Sequence, residues 1–284
     1  MAGEKKKKER NTFINGTVWW KYVISFVAVI IYLLPIWVVF VVATKPLGDN
    51  STRLMITSGL FFGNFEKALF RGNMLNAIKN SAIITLGVTV LEVVLSAFAA
   101  YPLSRNRSRL NKFVKAAILA VMMIPGLSIV VGVYMELVAF HMISTYWGII
   151  IITAAFGLPM CIYLYSNFIT TIPSSLDEAA AIDGAGAAQT FFRILLPQLK
   201  PVTVTVIIMR GIGAWNEYMY SLYILQKPAM WNVSVTIKSF FSENLSDWGA
   251  AAAAAFLAIV PVIVIYLFLQ KYFIQGQLDS AVKG

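Results

Sequence analysis

The chain has 284 residues, 59% of them hydrophobic and only 13% charged, with a formal net charge of +10 and a mean hydropathy of +0.75. Soluble domains carry about 25% charged residues, so this composition excludes a chain that covers itself with charge in water and makes lipid its natural solvent. A single His and a single Cys exclude a structural zinc site, an internal disulfide and a Cys/His catalytic pair.

A helix needs about 20 apolar residues to cross the hydrocarbon. The N-terminal segment 1–21 is basic, with Lys5–Lys8, Arg10 and Lys21. Such juxtamembrane runs meet anionic lipid, and no nucleic-acid partner is expected. Tyr22–Thr44 is uncharged, is longer than a signal-peptide core and lacks a small-x-small cleavage site, so it reads as a retained span. In the loop Lys45–Lys79, Gly59–Gly63 with Phe65, Leu69 and Phe70 predicts a short amphipathic element lying on the membrane. Ser81–Leu103 is a span with one charge, Glu92. Ala116–Met135 and Tyr146–Thr170 are further uncharged spans, with Glu136 just past the first and His141 in the connecting loop as an interfacial residue. Val202–Leu225 is a span carrying Arg210 and Glu217. Gln226–Trp248 holds Pro228, Trp231 and Trp248, which suit an aromatic belt. Ala250–Leu269 is the last span, opening on the run Ala250–Ala255, whose small residues either permit close helix contact or simply fill the helix.

Six spans place both termini on one side. Fifteen Lys and Arg residues fall on that side and seven on the other, so the termini are expected in the cytoplasm. The expected fold is an all-α polytopic membrane protein. Residues 1–21 form the basic cytoplasmic segment, 22–270 the six-helix membrane domain and 271–284 a cytoplasmic tail. Gly211-Ile-Gly213 sits inside an apolar span with Asn216 where a third Gly would fall, and no Gly-x-x-x-x-Gly-Lys-Ser/Thr occurs. The chain therefore has no nucleotide site of the P-loop kind and is not expected to be an enzyme or to hold a cofactor. If ATP drives it, another subunit supplies the ATPase.

The cytoplasmic loop 171–201 is too polar for lipid and too ordered for a linker. Ser175 and Glu178 stand as a capping box, Asp177 and Glu178 put negative charge at the positive end of a helix dipole, and three alanines follow. Gly184 suits a C-terminal cap. The pattern predicts a two-turn helix, Leu176–Asp183, whose Ala179 and Ala180 let a neighbour approach closely. A second helical stretch from Ala187 is expected to end at Pro197, anchored by Phe191, Ile194, Leu195 and Leu196. A helix of two turns is not stable alone and needs packing from its own domain or a partner.

The order Glu178-Ala179-Ala180, Gly184 and Ile194-Leu195-Leu196-Pro197 resembles the EAA loop of ATP-binding-cassette importer permeases at every fixed position, one loop before the penultimate span. The whole chain is similar to the carbohydrate-uptake branch, in particular the second, smaller permease of the maltose-importer type. Asp183-Gly184-Ala185, Trp215-Asn216 and the ending Ala281-Val282-Lys283-Gly284 support this. The resemblance implies a type I ABC importer permease fold in a bacterial cytoplasmic membrane. It implies a heterodimer with a second permease, two cytoplasmic ATPases holding ATP and Mg, and an extracytoplasmic solute-binding protein. It assigns Glu178, Ala179, Ala180, Asp183, Gly184, Ile194, Leu196 and Pro197 to ATPase coupling, and an oligosaccharide as cargo, with glycerol phosphoesters or another polar solute as the alternative.

Charges within spans cost about 2.5–3.5 kcal/mol each on insertion scales, so they face a bundle interior or a wet path. Arg210 and Glu217 lie about two turns, about 10 Å, apart along one expected helix, forming with Gly213, Ala214 and Ser221 a polar, small stripe. Two readings stand open: the stripe faces the solute path, with Trp215, Asn216, Glu217 and Tyr218 near the solute, or the charges pair with the other permease. A secondary transporter would need repeat symmetry and midplane ion sites, and the chain shows no repeat. A membrane enzyme would need a clustered acid–base or metal constellation, which the sparse Asp, Glu and His do not supply.

Overall fold

A computed structural model describes residues 19–49, 51–56, 59–241 and 247–281. Lys5–Lys8 lie outside them. The principal helices are α1 (Trp19–Ala43), α2 (Met74–Arg105), α3 (Arg109–Met122), α4 (Val130–Ala139), α5 (Tyr146–Thr171), α6 (Ser175–Ile182), α7 (Lys200–Trp215), α8 (Met219–Ile224) and α9 (Trp248–Ala281). Four of them, α1, α2, α5 and α9, are long and apolar enough to cross a membrane. Two bent pairs, Arg109–Met122 with Gly126–Ala139 and Ala187–Gln198 with Lys200–Trp215, bring the number to six when each pair counts as one span. Helix α9 continues past residue 270, where hydropathy alone would end the membrane domain.

The helices group into two compact units. The first contains α1, the loop to Arg71, and Phe240–Phe256 with the first turns of α9. Phe40 and Phe65 both meet Phe256 there. The expected amphipathic element is a short helix, Gly63–Glu66, running into a π turn, Lys67–Arg71, with Phe61, Phe62 and Phe70 exposed. Asn64 is buried and donates to the carbonyls of Ala43 (3.0 Å) and Lys45 (2.6 Å), closing the open end of α1. Asp247 caps α9: its carboxylate accepts the Ala250 N–H at 3.0 Å and pairs with Lys67 Nζ at 3.0 Å. Burial alone would raise this carboxyl, but the Ala250 N–H, Lys67 and Arg71 outweigh it and hold it below the usual carboxylate range.

The second unit is built on α2, which packs along α5 and α7. Two apolar clusters divide it. One joins Ala97 and Ala100 of α2 to Cys161, Tyr165 and Ile169 of α5 and to Phe191, Leu195, Leu199, Val202 and Val206. The other joins Ile84 and Val88 of α2 to Ile149 and Ala154 of α5, Ala214 of α7, and Ile224. The residues between the clusters on the three helices are Glu92, Gly157 and Arg210. Arg210 Nε lies 2.8 Å from Glu92 Oε2 and Nη2 lies 2.7 Å from Oε1, a two-pronged pair in which Glu92 is fully buried. Gly157 makes room for it: a Cβ there would stand 1.8 Å from Glu92 Oε1 and 2.1 Å from Arg210 Nη2.

Two expected spans are not straight helices. The third breaks after Met123 at Pro125–Gly126, and the segments Arg109–Met122 and Gly126–Ala139 meet at 91°. Proline alone is not the cause, since Pro35, Pro102, Pro159 and Pro261 lie inside unbroken helices. The Pro-Gly pair is a turn signal, and at Gly126 an added Cβ would meet Tyr220 Oη at 2.6 Å. The fifth breaks at Asn216–Tyr218, between α7 and α8.

Removing one partner of a buried ion pair costs about 3–5 kcal/mol, whereas replacing both by apolar residues is often neutral or stabilising. Arg210→Ala is expected to cut the thermal stability of the detergent-purified protein severely, and the double variant Glu92→Leu/Arg210→Met to recover most of it. Equal melting of the single and double variants would contradict the buried pair. For Asp247, a folded pKa below the unfolded one means that its contribution is present above the unfolded value of about 3.9 and disappears as pH falls through the folded value. The melting difference between the wild type and Asp247→Asn is therefore expected at pH 7 and to shrink below pH of about 4. A pH-independent difference would show that charge is not its origin.

Candidate functional site

The loop after α5 turns at Ile172–Pro173 and enters α6 at Ser175. The expected capping box of Ser175 and Glu178 does not form, because Ser175 is already the first helical residue and Ser174 is the cap. The first-turn N–H groups bond instead to backbone carbonyls: Leu176 to Pro173 (3.3 Å), and Asp177 and Glu178 to Ser174 (2.9 and 3.1 Å). Ser174 Oγ lies 3.5 Å from Glu178 Oε1. At the other end Gly184 takes φ +78°, as a C-terminal cap requires. The Gly184 N–H reaches the Ala181 carbonyl at 3.1 Å and the Ala185 N–H the Ala180 carbonyl at 2.9 Å, the two crossed bonds of a Schellman cap.

One side of α6 is held by the chain. Ala180 is buried, and Asp177 is pinned by both carboxylate oxygens. Tyr101 Oη donates to Oδ1 at 3.0 Å, and Arg105 Nη2 lies 2.9 Å from Oδ2 as an ion pair. Arg105 also donates through Nη1 to the Ile172 carbonyl at 2.9 Å, so one guanidinium ties the ends of α2 and α5 to α6. Beyond Gly186 the expected second helical stretch forms over Ala187–Gln198, one residue past Pro197, but it is not α-helical throughout. A π turn, Thr190–Leu195, is followed by a short turn, Leu196–Gln198, that contains Pro197. This segment meets α7 at 70°. Phe191 and Leu195 are buried, with Phe191 stacked on Phe98 (5.0 Å between centroids) and beside Tyr101 (5.6 Å). Ile194 is half-buried, and Leu196 and Pro197 are exposed.

The other side of α6 is open. Glu178, Ala179, Ala181, Ile182, Asp183 and Gly184 are exposed, and Ile182 presents 86% of its surface. The expected pair Ala179 and Ala180 thus splits, one residue outward and one inward. A Cβ at Gly184 would meet nothing within 4 Å, so within this chain its backbone conformation, not space, demands glycine.

The five residues expected along a path separate as well. The stripe drawn through Arg210 and Glu217 is interrupted, because α7 ends at Trp215. Arg210 is engaged by Glu92 within the same chain. Trp215 is buried at 5% exposure, in the core. Glu217 binds the start of α8: Oε1 accepts the Tyr220 N–H (2.7 Å), and Oε2 accepts the Ser221 N–H (2.8 Å) and hydroxyl (2.5 Å). Buried Asn232 adds bonds to the Glu217 carbonyl (2.7 Å) and Ser221 Oγ (2.9 Å). Asn216 is exposed and Tyr218 half-buried at the break. The exposed line of α7 is Thr205, Met209, Ile212, Gly213 and Asn216.

Sequence reasoning missed Tyr101 and Arg105 as partners of the loop, gave Asp177 only a dipole role, and did not see Gly157. Tyr101 and Asp177 are 76 positions apart, and no local pattern joins them. Among the described residues no group of three His, Cys, Asp or Glu is placed to hold a metal ion.

Residues 92–278 match the family described as the binding-protein-dependent transport system inner membrane component. The melibiose/raffinose/stachyose import permease protein MelC of Bacillus subtilis (strain 168) is 37% identical over 266 residues, covering 92% of this chain and 96% of that one. The multiple sugar-binding transport system permease protein MsmG of Streptococcus mutans is 30% identical over 285 residues, covering 98% and 100%. A bacterial ABC transporter involved in the import of the acidic polysaccharide alginate has a solved chain that superposes with a TM-score of 0.75 at 22% identity, covering 93% of this chain and 98% of that one. That likeness confirms the ABC importer permease fold, and the family match, with relatives aligned along nearly their whole length, makes this chain a membrane subunit of the binding-protein-dependent ABC transport family.

Proposed function

We propose that this chain imports an oligosaccharide together with a second permease, and that α6 is its docking element for a cytoplasmic ATPase. The observation that carries the reading is the two-sided character of α6. It is fixed to the chain through Asp177 and Ala180, capped at Gly184, and open along Glu178, Ala179, Ile182 and Asp183. An exposed isoleucine flanked by alanines and acids fits a groove that buries the apolar side chain while basic or polar groups meet Glu178 and Asp183. Ile194, Leu196 and Pro197 form the rest of the docking surface. The excess of Lys and Arg on the loop side supports a cytoplasmic location for both the loop and the termini. The ATPases hold ATP and Mg, close on them, and move α6 as a rigid body. An extracytoplasmic protein delivers the solute.

The cargo class follows the relatives, whose names specify melibiose, raffinose and stachyose or multiple sugars. The charge arrangement agrees with a neutral solute. Arg210 is neutralised by Glu92, and Glu217 is occupied by α8, which leaves the uncharged Asn216 and Tyr218 as the polar groups at the break. We assign these two residues to the path.

Three outcomes test the reading. Ile182→Asp is expected to abolish co-purification of the ATPase with the membrane subunits, and full retention would remove α6 as the dock. Gly184→Val places a β-branched residue at positive φ, at a cost of about 1–2 kcal/mol. It is expected to lower uptake strongly, whereas Gly184→Asn, which tolerates that conformation, is milder. In the assembled complex, raffinose-type sugars with their binding protein are expected to stimulate ATP hydrolysis and glycerol phosphoesters are not; the reverse order would reassign the cargo.

A further inference from the structure

The docking reading says where force enters the chain, and the bonds around α6 indicate where it goes next. We infer that Asp177 is a positioning residue that locks the docking helix to α2, so that movement of α6 is delivered to the membrane core through α2 rather than absorbed by the loop. This inference rests on α6 being the ATPase dock.

Covalently α6 is joined to α5 only through the turn at Ile172–Ser174, and a short turn of this kind is a natural hinge. Two hydrogen bonds and one ion pair oppose hinge motion: Tyr101 donates to Asp177 Oδ1, Arg105 donates to the Ile172 carbonyl, and Arg105 pairs with Asp177 Oδ2. Tyr101 and Arg105 are one turn apart at the end of α2, so both grip one carboxylate from one helix face. The ion pair is mostly sheltered, with Arg105 and Asp177 exposing 19% and 22% of their side chains. It is therefore screened less than an open surface pair. About 20 Å along the same helix, Glu92 holds Arg210 of α7. Helix α2 thus carries an ion pair at each of two levels, one to the docking helix and one to the helix that ends at the break. No other described helix has both.

The experiment uses the full complex and measures solute uptake per ATP hydrolysed, with ATPase co-purification as a separate reading. In Asp177→Asn the Tyr101 bond is retained and the charge is lost. The ATPase is expected to co-purify normally and to hydrolyse ATP, while uptake per ATP falls about 5-fold or more, within the usual range of inter-site coupling. Arg105→Gln is expected to lower the same ratio, and the double variant to fall no further than the worse single one. Asp177→Glu is expected to regain part of it. A wild-type ratio in both single variants overturns the inference. Loss of ATPase co-purification in Asp177→Asn also overturns it, since Asp177 would then be part of the dock itself. If Ile182→Asp keeps the ATPase bound, the docking reading fails independently of the ratio in the Asp177 variants.

Discussion

The membrane part of the second unit depends on one contact, the pairing of Arg210 with Glu92. Each charge alone would be costly at that depth. The pair is tolerated because its geometry satisfies two guanidinium nitrogens with both carboxylate oxygens, and because Gly157 lets three helices close around it. Apolar clusters lie to either side along all three helices. Such a layer adds little net stability compared with apolar packing. Its effect is on register: sliding α7 by one turn against α2 would bury an unpaired carboxylate.

The broken fifth span follows from the same accounting of polar groups. Stopping α7 at Trp215 leaves carbonyls without helical partners, and starting α8 at Met219 leaves N–H groups without them. In lipid these cannot be left to water. Glu217 takes the Tyr220 and Ser221 N–H groups of α8, its own N–H reaches the Ala214 carbonyl of α7 at 3.3 Å, and Asn232 takes the Glu217 carbonyl between the two helices. Glu217, a carboxylate that looks like a solute ligand by composition, here bonds the backbone where a membrane helix is interrupted.

The sequence made some of this legible and hid the rest for definable reasons. Span number is additive hydropathy: four expected spans are single long helices, while the bend in the third and the break in the fifth escape a hydropathy window because it ignores direction. The cap at Gly184 was readable, since positive φ after an alanine run has few solutions. The start of α6 moved by one residue, because backbone carbonyls of Pro173 and Ser174 did the capping that a serine hydroxyl was expected to do. The partners of Asp177 and Arg210 were out of reach. Glu92 and Arg210 are 118 positions apart, and charge composition says that a buried Arg needs a partner without saying which one. The second permease was an equally good candidate until the geometry placed Glu92 beside it.

These arrangements bear on how such a chain can move. A transport cycle exposes and reburies the surfaces that line its path, and a free charge there would be desolvated in every cycle at a cost of several kcal/mol. Arg210 is occupied by Glu92 and Glu217 by the start of α8, and the exposed line Thr205, Met209, Ile212, Gly213 and Asn216 carries no charge. Two ion pairs, Glu92–Arg210 and Asp177–Arg105, join α2 to α7 and to α6 and so fix the register of these helices. In α6, Asp177 and Ala180 face the chain and Ala179 and Ile182 face outward. The inward side of α6 is set by one ion pair and one hydrogen bond to α2, from Arg105 and Tyr101 to the two oxygens of Asp177.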